Sequence, residues 1–161
     1  MRSRAARAAP WFALAGTVLA LDRATKAGAL AALAPGEVRP VTPFLNLVLV
    51  RNDGAAFGLL AGFGGWQRPL LAAIAAGIAV AIAVLLWRGW GGFPARLALA
   101  LVLGGAVGNL WDRLAWGHVV DFVDVHAFGW HWPAFNLADA AISVGAALLV
   151  ADGLVRRAPG A

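Results

Sequence analysis

The chain has 161 residues, of which 61% are hydrophobic and only 13% are charged. Soluble globular domains carry about 25% charged residues, so this composition argues against a water-soluble fold and indicates a helical membrane protein. The absence of cysteine excludes disulfides, thiolate metal sites and cysteine nucleophiles. The formal net charge of +5 comes from scattered basic residues, a pattern that does not indicate nucleic acid as a partner.

Four apolar stretches are long enough to cross a bilayer, which takes about 20 helical residues. The stretch 69–87 is free of charge, whereas 10–33, 95–114 and 134–155 each contain ionisable residues. We therefore predict an all-α membrane protein with four transmembrane helices over these ranges, forming one integral membrane domain over residues 1–161.

Basic residues lie on one side of these four spans. They are Arg2, Arg4 and Arg7 before the first, Arg88 and Arg96 between the second and third, and Arg156 and Arg157 after the fourth. Because arginine in short loops favours the cytoplasmic side, both termini are predicted to be cytoplasmic, with 34–68 and 115–133 outside. The alternative, a cleaved signal peptide at the N-terminus, is disfavoured by Asp22 and Lys26 within the stretch.

The two outer segments differ in pattern. In the first, alternating Leu45, Leu47 and Leu49 are followed by Asn-Asp-Gly at 52–54, which predicts a short strand or hairpin with a tight turn. The second segment mixes tryptophan and phenylalanine with histidine and aspartate, which favours an amphipathic interfacial helix or loop.

Charges within the first and third spans occur at helical spacing. Asp22 and Lys26 are four residues apart and can form an ion pair on one helix face. Both mutual neutralisation and a functional role are open explanations of the pair. The third span has polar residues at i, i+3 and i+4, namely Asn109, Asp112 and Arg113. The guanidinium of Arg113 is able to donate two parallel hydrogen bonds to a carboxylate. A structural role is the favoured interpretation of Arg113.

Carboxylates gather at one level near the outer ends of the predicted helices. Asn136 and Asp139 share a face at the start of the fourth helix, while Asp121 and Asp124 lie in the preceding segment. Two neighbouring carboxyl groups share a proton, and one then acts as a base on water while the other acts as an acid. Spacing alone does not choose among Asp112, Asp121 and Asp124.

Other chemistries fit the sequence less well. The histidines at 118, 126 and 131 lack the spacing of a metal site, and no Gly-x-Ser-x-Gly motif is present. Two alternatives stay open on these residues alone. A small transporter or proton relay would also use intramembrane Asp and Lys, and a scaffold would use polar residues to join its helices.

Five segments, in order, resemble the bacterial lipoprotein signal peptidase (signal peptidase II) family over about residues 11–155. They are D-R-A-T-K at 22–26, N-D-G-A-A-F-G at 52–58, G-G-A-V-G-N-L-W-D-R at 104–113, V-V-D-F at 119–122 and F-N-L-A-D at 135–139. Arg23 is a mild departure, because an uncharged polar residue is commoner there in the family.

The resemblance implies an intramembrane aspartic endopeptidase that removes the signal peptide before the lipidated cysteine of diacylglyceryl-modified prolipoproteins. It implies four transmembrane helices with an extracytoplasmic β-cradle and helix, in the bacterial inner membrane, with the active site near the extracytoplasmic face. Asp121 and Asp139 fall on the catalytic positions. Other positions that shape the site or hold substrate are Asp22, Lys26, Asn52, Gly54, Asn109, Asp112, Arg113 and Asn136. Membrane lipids and cyclic peptide inhibitors of the globomycin type are further implied partners, and no cofactor or metal is implied.

Overall fold

A computed structural model describes residues 3–54 and 66–157 of the chain. Residues 55–58 of the N-D-G-A-A-F-G segment lie outside this part. The elements follow in the order α1 (Arg4–Ala32), β1 (Val38–Thr42), β2 (Leu45–Asn52), α2 (Gln67–Arg88), α3 (Phe93–Trp116), β3 (Val119–Ala127), β4 (Trp130–His131) and α4 (Leu137–Arg157). Each predicted apolar stretch thus lies almost wholly within a long helix.

Three of the described helices are long and apolar enough to cross a membrane: Arg68–Arg88, Phe93–Trp116 and Leu137–Arg156. Large apolar side chains on α2 and α4, among them Val80 and Leu154, are exposed on the surface of the protein. Such a surface is compatible with lipid and unfavourable in water. The first helix, α1, has 29 residues and carries several charges, so a fourth crossing stays a prediction.

Helix α3 is central and packs against α1, α2 and α4. Glycines allow its close approach to two neighbours. A Cβ atom on Gly104 would lie 2.6 Å from the Ala15 carbonyl of α1, and one on Gly105 would collide with the Ala138 carbonyl of α4. Small residues let membrane helices approach closely, and these two glycines serve that packing.

The strands form one antiparallel sheet in the order β1-β2-β3-β4. The predicted strand or hairpin in 34–68 is confirmed as the β1–β2 hairpin, but its turn lies between Thr42 and Leu45 and not at Asn-Asp-Gly. At Asn-Asp-Gly, the Gly54 N–H donates to Asn52 Oδ1 at 3.0 Å, in a side-chain turn that follows β2. The β2–β3 pairing sets Asn52 opposite Val119 and Asn46 opposite Asp124.

The prediction of an amphipathic helix or loop in 115–133 is wrong for residues 119–131, which form β3 and β4. The segment is rich in β-branched valine, including Val119, Val120 and Val123, and valine packs well on a pleated surface. Pairing with β2 also provides hydrogen-bond partners for the backbone N–H and C=O groups of the segment. The density of tryptophan suggested an interfacial helix and obscured this preference.

Candidate active site

A buried charge cluster joins α1 to α3. The Lys26 ammonium lies 2.9 Å from Asp22 Oδ2 and 2.7 Å from Asp112 Oδ2, and all three side chains have no solvent exposure. The i, i+4 ion pair expected from the sequence is therefore present, with Asp112 as a further partner. Lys26 also donates to Asn109 Oδ1 at 3.0 Å, which connects the cluster to the residues next to α4.

Two asparagines link this cluster to two carboxyl groups. Asn109 Nδ2 donates to Asp139 Oδ1 at 2.8 Å. Asn136 Nδ2 donates to Asp121 Oδ1 at 2.7 Å and lies 3.2 Å from Asn109 Oδ1. Asp121 on β3 and Asp139 on α4 are therefore held in one continuous hydrogen-bonded network.

The start of α4 is fixed by side chains on two elements. The Asp139 N–H donates to Asn136 Oδ1 at 2.9 Å and the Asn136 N–H lies 3.3 Å from Asp139 Oδ2, a reciprocal cap. The Ala138 N–H donates to Asp22 Oδ1 at 3.0 Å. Asp139 thus lies in the first turn of α4, where the helix dipole favours a negative charge.

Asp121 is buried and is held from β2 as well as from Asn136. Asn52 Nδ2 donates to Asp121 Oδ2 at 3.0 Å. Burial, together with the nearby charge of Asp139, raises the pKa of the Asp121 carboxyl from 3.8 to about 7, against the opposing effect of its hydrogen bonds. Asp121 is therefore able to hold a proton near neutral pH.

Arg113 does not form the pair of hydrogen bonds to a carboxylate that its spacing from Asp112 suggested. Its guanidinium donates to the backbone carbonyls of Asn109, at 3.3 Å, and Gly54, at 3.1 Å. The neighbouring Asp112 instead contacts Lys26 and Arg23, both on α1. Arg113 thereby ties α3 to the turn after β2.

A cavity of about 640 Å³ lies between α2, α3 and α4. Its polar wall contains Asn52, Asn109, Arg113, Asp121 and Asp139. The rest of the lining is largely apolar, with leucine, isoleucine and valine from the three helices and residues 132–135 before α4. Such a space suits an apolar ligand that presents a polar group to the two carboxyl groups.

The remaining aspartate of β3, Asp124, has other partners and does not line this cavity. Asn46 Nδ2 donates to it at 2.9 Å, and His131 Nδ1 lies 2.9 Å from Oδ1. Burial raises the pKa of the Asp124 carboxyl, but these two hydrogen bonds and the electrostatic effect of His131 and His126 together hold the pKa below its usual value. Within residues 3–54 and 66–157, no group of three or more His, Asp or Glu residues could hold a metal ion.

The structure brings together all ten residues that the sequence singles out for the site. Arg23, noted from the sequence only as a departure from the family motif, forms an ion pair with Asp112 and lies over the rings of Trp111 and Trp116. These contacts join α1 to the end of α3, and the spacing of residues within one helix carries no information about a contact between two helices.

Comparison with known proteins identifies relatives over nearly the whole chain. The family profile described as signal peptidase (SPase) II matches residues 14–155. The chain is 51% identical over 153 residues to a lipoprotein signal peptidase of Burkholderia mallei (strain SAVP1), covering 95% of this chain and 92% of that protein. It is 52% identical to the lipoprotein signal peptidase of Paraburkholderia phymatum, with the same coverage.

Two solved structures of bacterial membrane enzymes have the same fold. One superposes with a TM-score of 0.85 at 30% identity, covering 95% of this chain and 92% of the other. The second gives a TM-score of 0.78 at 29% identity and covers 95% of both chains. The similarity therefore extends to the arrangement of the helices and the sheet.

Proposed function

This chain belongs to the signal peptidase II family, and we propose that Asp121 and Asp139 form its catalytic pair. As a member of that family, it is a membrane protease that removes signal peptides from lipoproteins. The observation that carries the proposal is that these two carboxyl groups line one cavity and are joined through Asn109 and Asn136.

In the proposed reaction, Asp139 is ionised and Asp121 carries the proton. Asp139 takes a proton from water, and the resulting hydroxide attacks the carbonyl carbon on the N-terminal side of the lipidated cysteine. Asp121 donates a hydrogen bond to that carbonyl oxygen as negative charge develops, and it then passes its proton to the leaving amine as the C–N bond breaks. The proton that Asp139 took from water leaves the pair with one proton again. The raised pKa of Asp121 supports this assignment, as does the position of Asp139 in the first turn of α4.

The proposed substrate is a prolipoprotein whose cysteine carries a diacylglyceryl group. Withdrawing an acyl chain from the bilayer costs about 0.8 kcal/mol for each CH₂ group, so cleavage beside the lipid requires an active site at membrane level. The apolar walls of the cavity, from α2 and α4, support this choice. Cyclic peptide inhibitors of the globomycin type are expected to compete for the same space. Membrane lipids are expected to surround the apolar helices.

We further propose that α1 is a fourth span of this single membrane domain, which lies in the inner membrane with both termini cytoplasmic. The active site and the β-cradle would then face the extracytoplasmic side. Reporter fusions after Arg88 and after Gly64 are expected to report opposite sides of the membrane. The same side for both fusions would contradict the four-span topology.

The alternative functions are less well supported. A transporter of this size is expected to have broken helices around a midplane site, whereas α2, α3 and α4 each run without interruption. A scaffold would tolerate replacement of its carboxyl groups by amides, and the following experiment distinguishes this alternative from a protease.

The decisive experiment compares three Asp-to-Asn variants on purified, diacylglyceryl-modified prolipoprotein. Asparagine keeps the shape of aspartate but does not exchange a proton at neutral pH. Asp121→Asn and Asp139→Asn should each lower cleavage about a hundredfold or more, with the double variant little worse. The matched control, Asp124→Asn, lies on the same strand as Asp121 but outside the cavity and should retain substantial activity. Cleavage that survives in all three variants would refute aspartic catalysis.

A further inference from the structure

A second cation contacts the buried cluster behind the proposed catalytic pair. Asp112 is fully buried, and its two carboxylate oxygens contact different cations: Oδ2 the Lys26 ammonium and Oδ1 the Arg23 guanidinium. Asp22, the other carboxylate of the cluster, also contacts Lys26. Lys26 by itself would therefore leave two buried carboxylates with one positive charge.

The carboxyl groups and the cations around the proposed catalytic pair nearly balance in number. In the described part of the chain, four carboxyl groups belong to the network: Asp22, Asp112, Asp121 and Asp139. Three cations face them: Arg23, Lys26 and Arg113, the last of which interacts electrostatically with Asp112, Asp121 and Asp139. The set is neutral when it holds a single proton, which is the number that the proposed reaction requires.

Neutrality matters because unbalanced charge in a buried, low-dielectric site is costly and is relieved by uptake or loss of a proton. Without Arg23, the same carboxyl groups would require two protons for neutrality. Charged residues at the end of β2 do not supply a substitute. Arg51 is exposed opposite Val120, and Asp53 forms an exposed ion pair with Arg68.

The position of Arg23 is fixed from its other side by aromatic rings. Its guanidinium carbon lies 4.7 Å from the ring centre of Trp116 and 5.9 Å from that of Trp111, distances at which a cation is attracted to the ring face. The side chain is 28% exposed, so it lies at the rim of the cluster. A replacement there leaves no closed cavity and remains accessible to reagents.

We propose that Arg23 is a positioning residue that sets the number of protons on the Asp121–Asp139 pair, by completing the charge balance of the cluster and holding Asp112 in place. It acts through Asp112 and Lys26, which in turn hold Asn109 beside Asp139. This inference rests on the proposed function. If the unaltered protein does not cleave prolipoprotein, the proposed function fails, whereas the role of Arg23 is judged only from the pH dependence of an active enzyme.

The first test is the pH profile of kcat/KM for Arg23→Gln and Arg23→Lys. Loss of the positive charge should move both limbs of the Arg23→Gln profile to higher pH by about half a unit to one unit, which lowers activity on the acid side and preserves it on the alkaline side. Arg23→Lys keeps the charge and should keep both limbs near those of the unaltered protein. A purely structural defect would instead lower kcat/KM at every pH.

The matched control is Arg39→Gln, which removes the same charge from β1, where Arg39 forms an exposed ion pair with Glu37. Its limbs should not move. Unmoved limbs in Arg23→Gln, or equal shifts in Arg23→Gln and Arg23→Lys, would overturn the proposal.

A second test does not depend on comparing two separately folded variants. Because the chain has no cysteine, Arg23→Cys provides a single thiol at the rim of the cluster. Modification with an aminoethyl methanethiosulfonate restores a positive charge on the already folded protein, and a methyl methanethiosulfonate adds none. The limbs should return towards those of the unaltered protein only with the aminoethyl reagent. The same effect from both reagents, or from neither, would overturn the role of the charge.

Discussion

Replacement of Lys26 by methionine should destabilise the protein strongly while leaving its shape largely unchanged. Methionine keeps most of the aliphatic length of lysine but removes the ammonium that contacts Asp22, Asp112 and Asn109. Both carboxylates are fully buried, and Asp22 then has no described cation partner within ion-pair distance. The substitution therefore leaves Asp22 buried without a cation and leaves Asp112 with Arg23 alone.

The magnitude follows from what remains uncompensated. Removal of one partner from a buried ion pair costs about 3 to 5 kcal/mol, because the other charge is left in a medium of low dielectric constant. Arg23 still balances Asp112 in part, so the loss in Lys26→Met should lie within that range rather than at twice its value. Arg39→Met breaks an exposed pair with Glu37 and should cost only about 0 to 1 kcal/mol.

The assay is thermal unfolding of the purified variants in one detergent, together with cleavage of the lipidated substrate. Lys26→Met should lose stability and activity without a change of cleavage position, because the residue supports the site from behind. Addition of Asp22→Asn to Lys26→Met should recover part of the stability, since it removes one of the unpaired charges. A loss below about 1 kcal/mol in Lys26→Met, equal to that of the exposed pair, would refute the reasoning.

Three further experiments test other parts of the protein. Because the folded pKa of Asp121 is raised from 3.8 to about 7, its ionisation opposes folding. Thermal stability of the unaltered protein should therefore fall as the pH rises from about 4 to about 7, and fall less in Asp121→Asn; equal losses would contradict the raised pKa. A Cβ on Gly108 would lie 2.6 Å from Asp22 Oδ2, so Gly108→Ala should cost about 1 to 3 kcal/mol in thermal unfolding. Gly77→Ala, where nothing lies within 4 Å, should be neutral or slightly stabilising, and equal effects of the two would argue against this contact. Asn136→Ala removes both the cap of α4 and a hydrogen bond to Asp121, so kcat should fall about tenfold or more; an unchanged kcat would show that the network does not position the pair.

Features that depend on neighbouring residues in the chain could be predicted from the sequence. The apolar stretches correspond to α1, α2, α3 and α4 because helix formation and bilayer compatibility depend on local composition. The pair Asp22 and Lys26 could likewise be predicted, because residues four apart on a helix share a face. The membrane class and the helices thus followed from composition and the Asp22–Lys26 pair from spacing, whereas the five ordered motifs supplied the family and the residues expected at its site.

The tertiary structure alone decided which residues from different elements meet. Asp121 and Asp124 are three residues apart, a spacing that shares a face on a helix but places side chains on opposite faces of a strand. Because 119–127 is a strand, Asp121 lines the cavity and Asp124 contacts Asn46 and His131 instead. Arg23 and Asp112 are 89 positions apart, and their ion pair exists only because α1 packs against α3. Contacts of this kind depend on the relative position of whole elements, which the packing of their glycines and apolar faces determines and local periodicity does not encode.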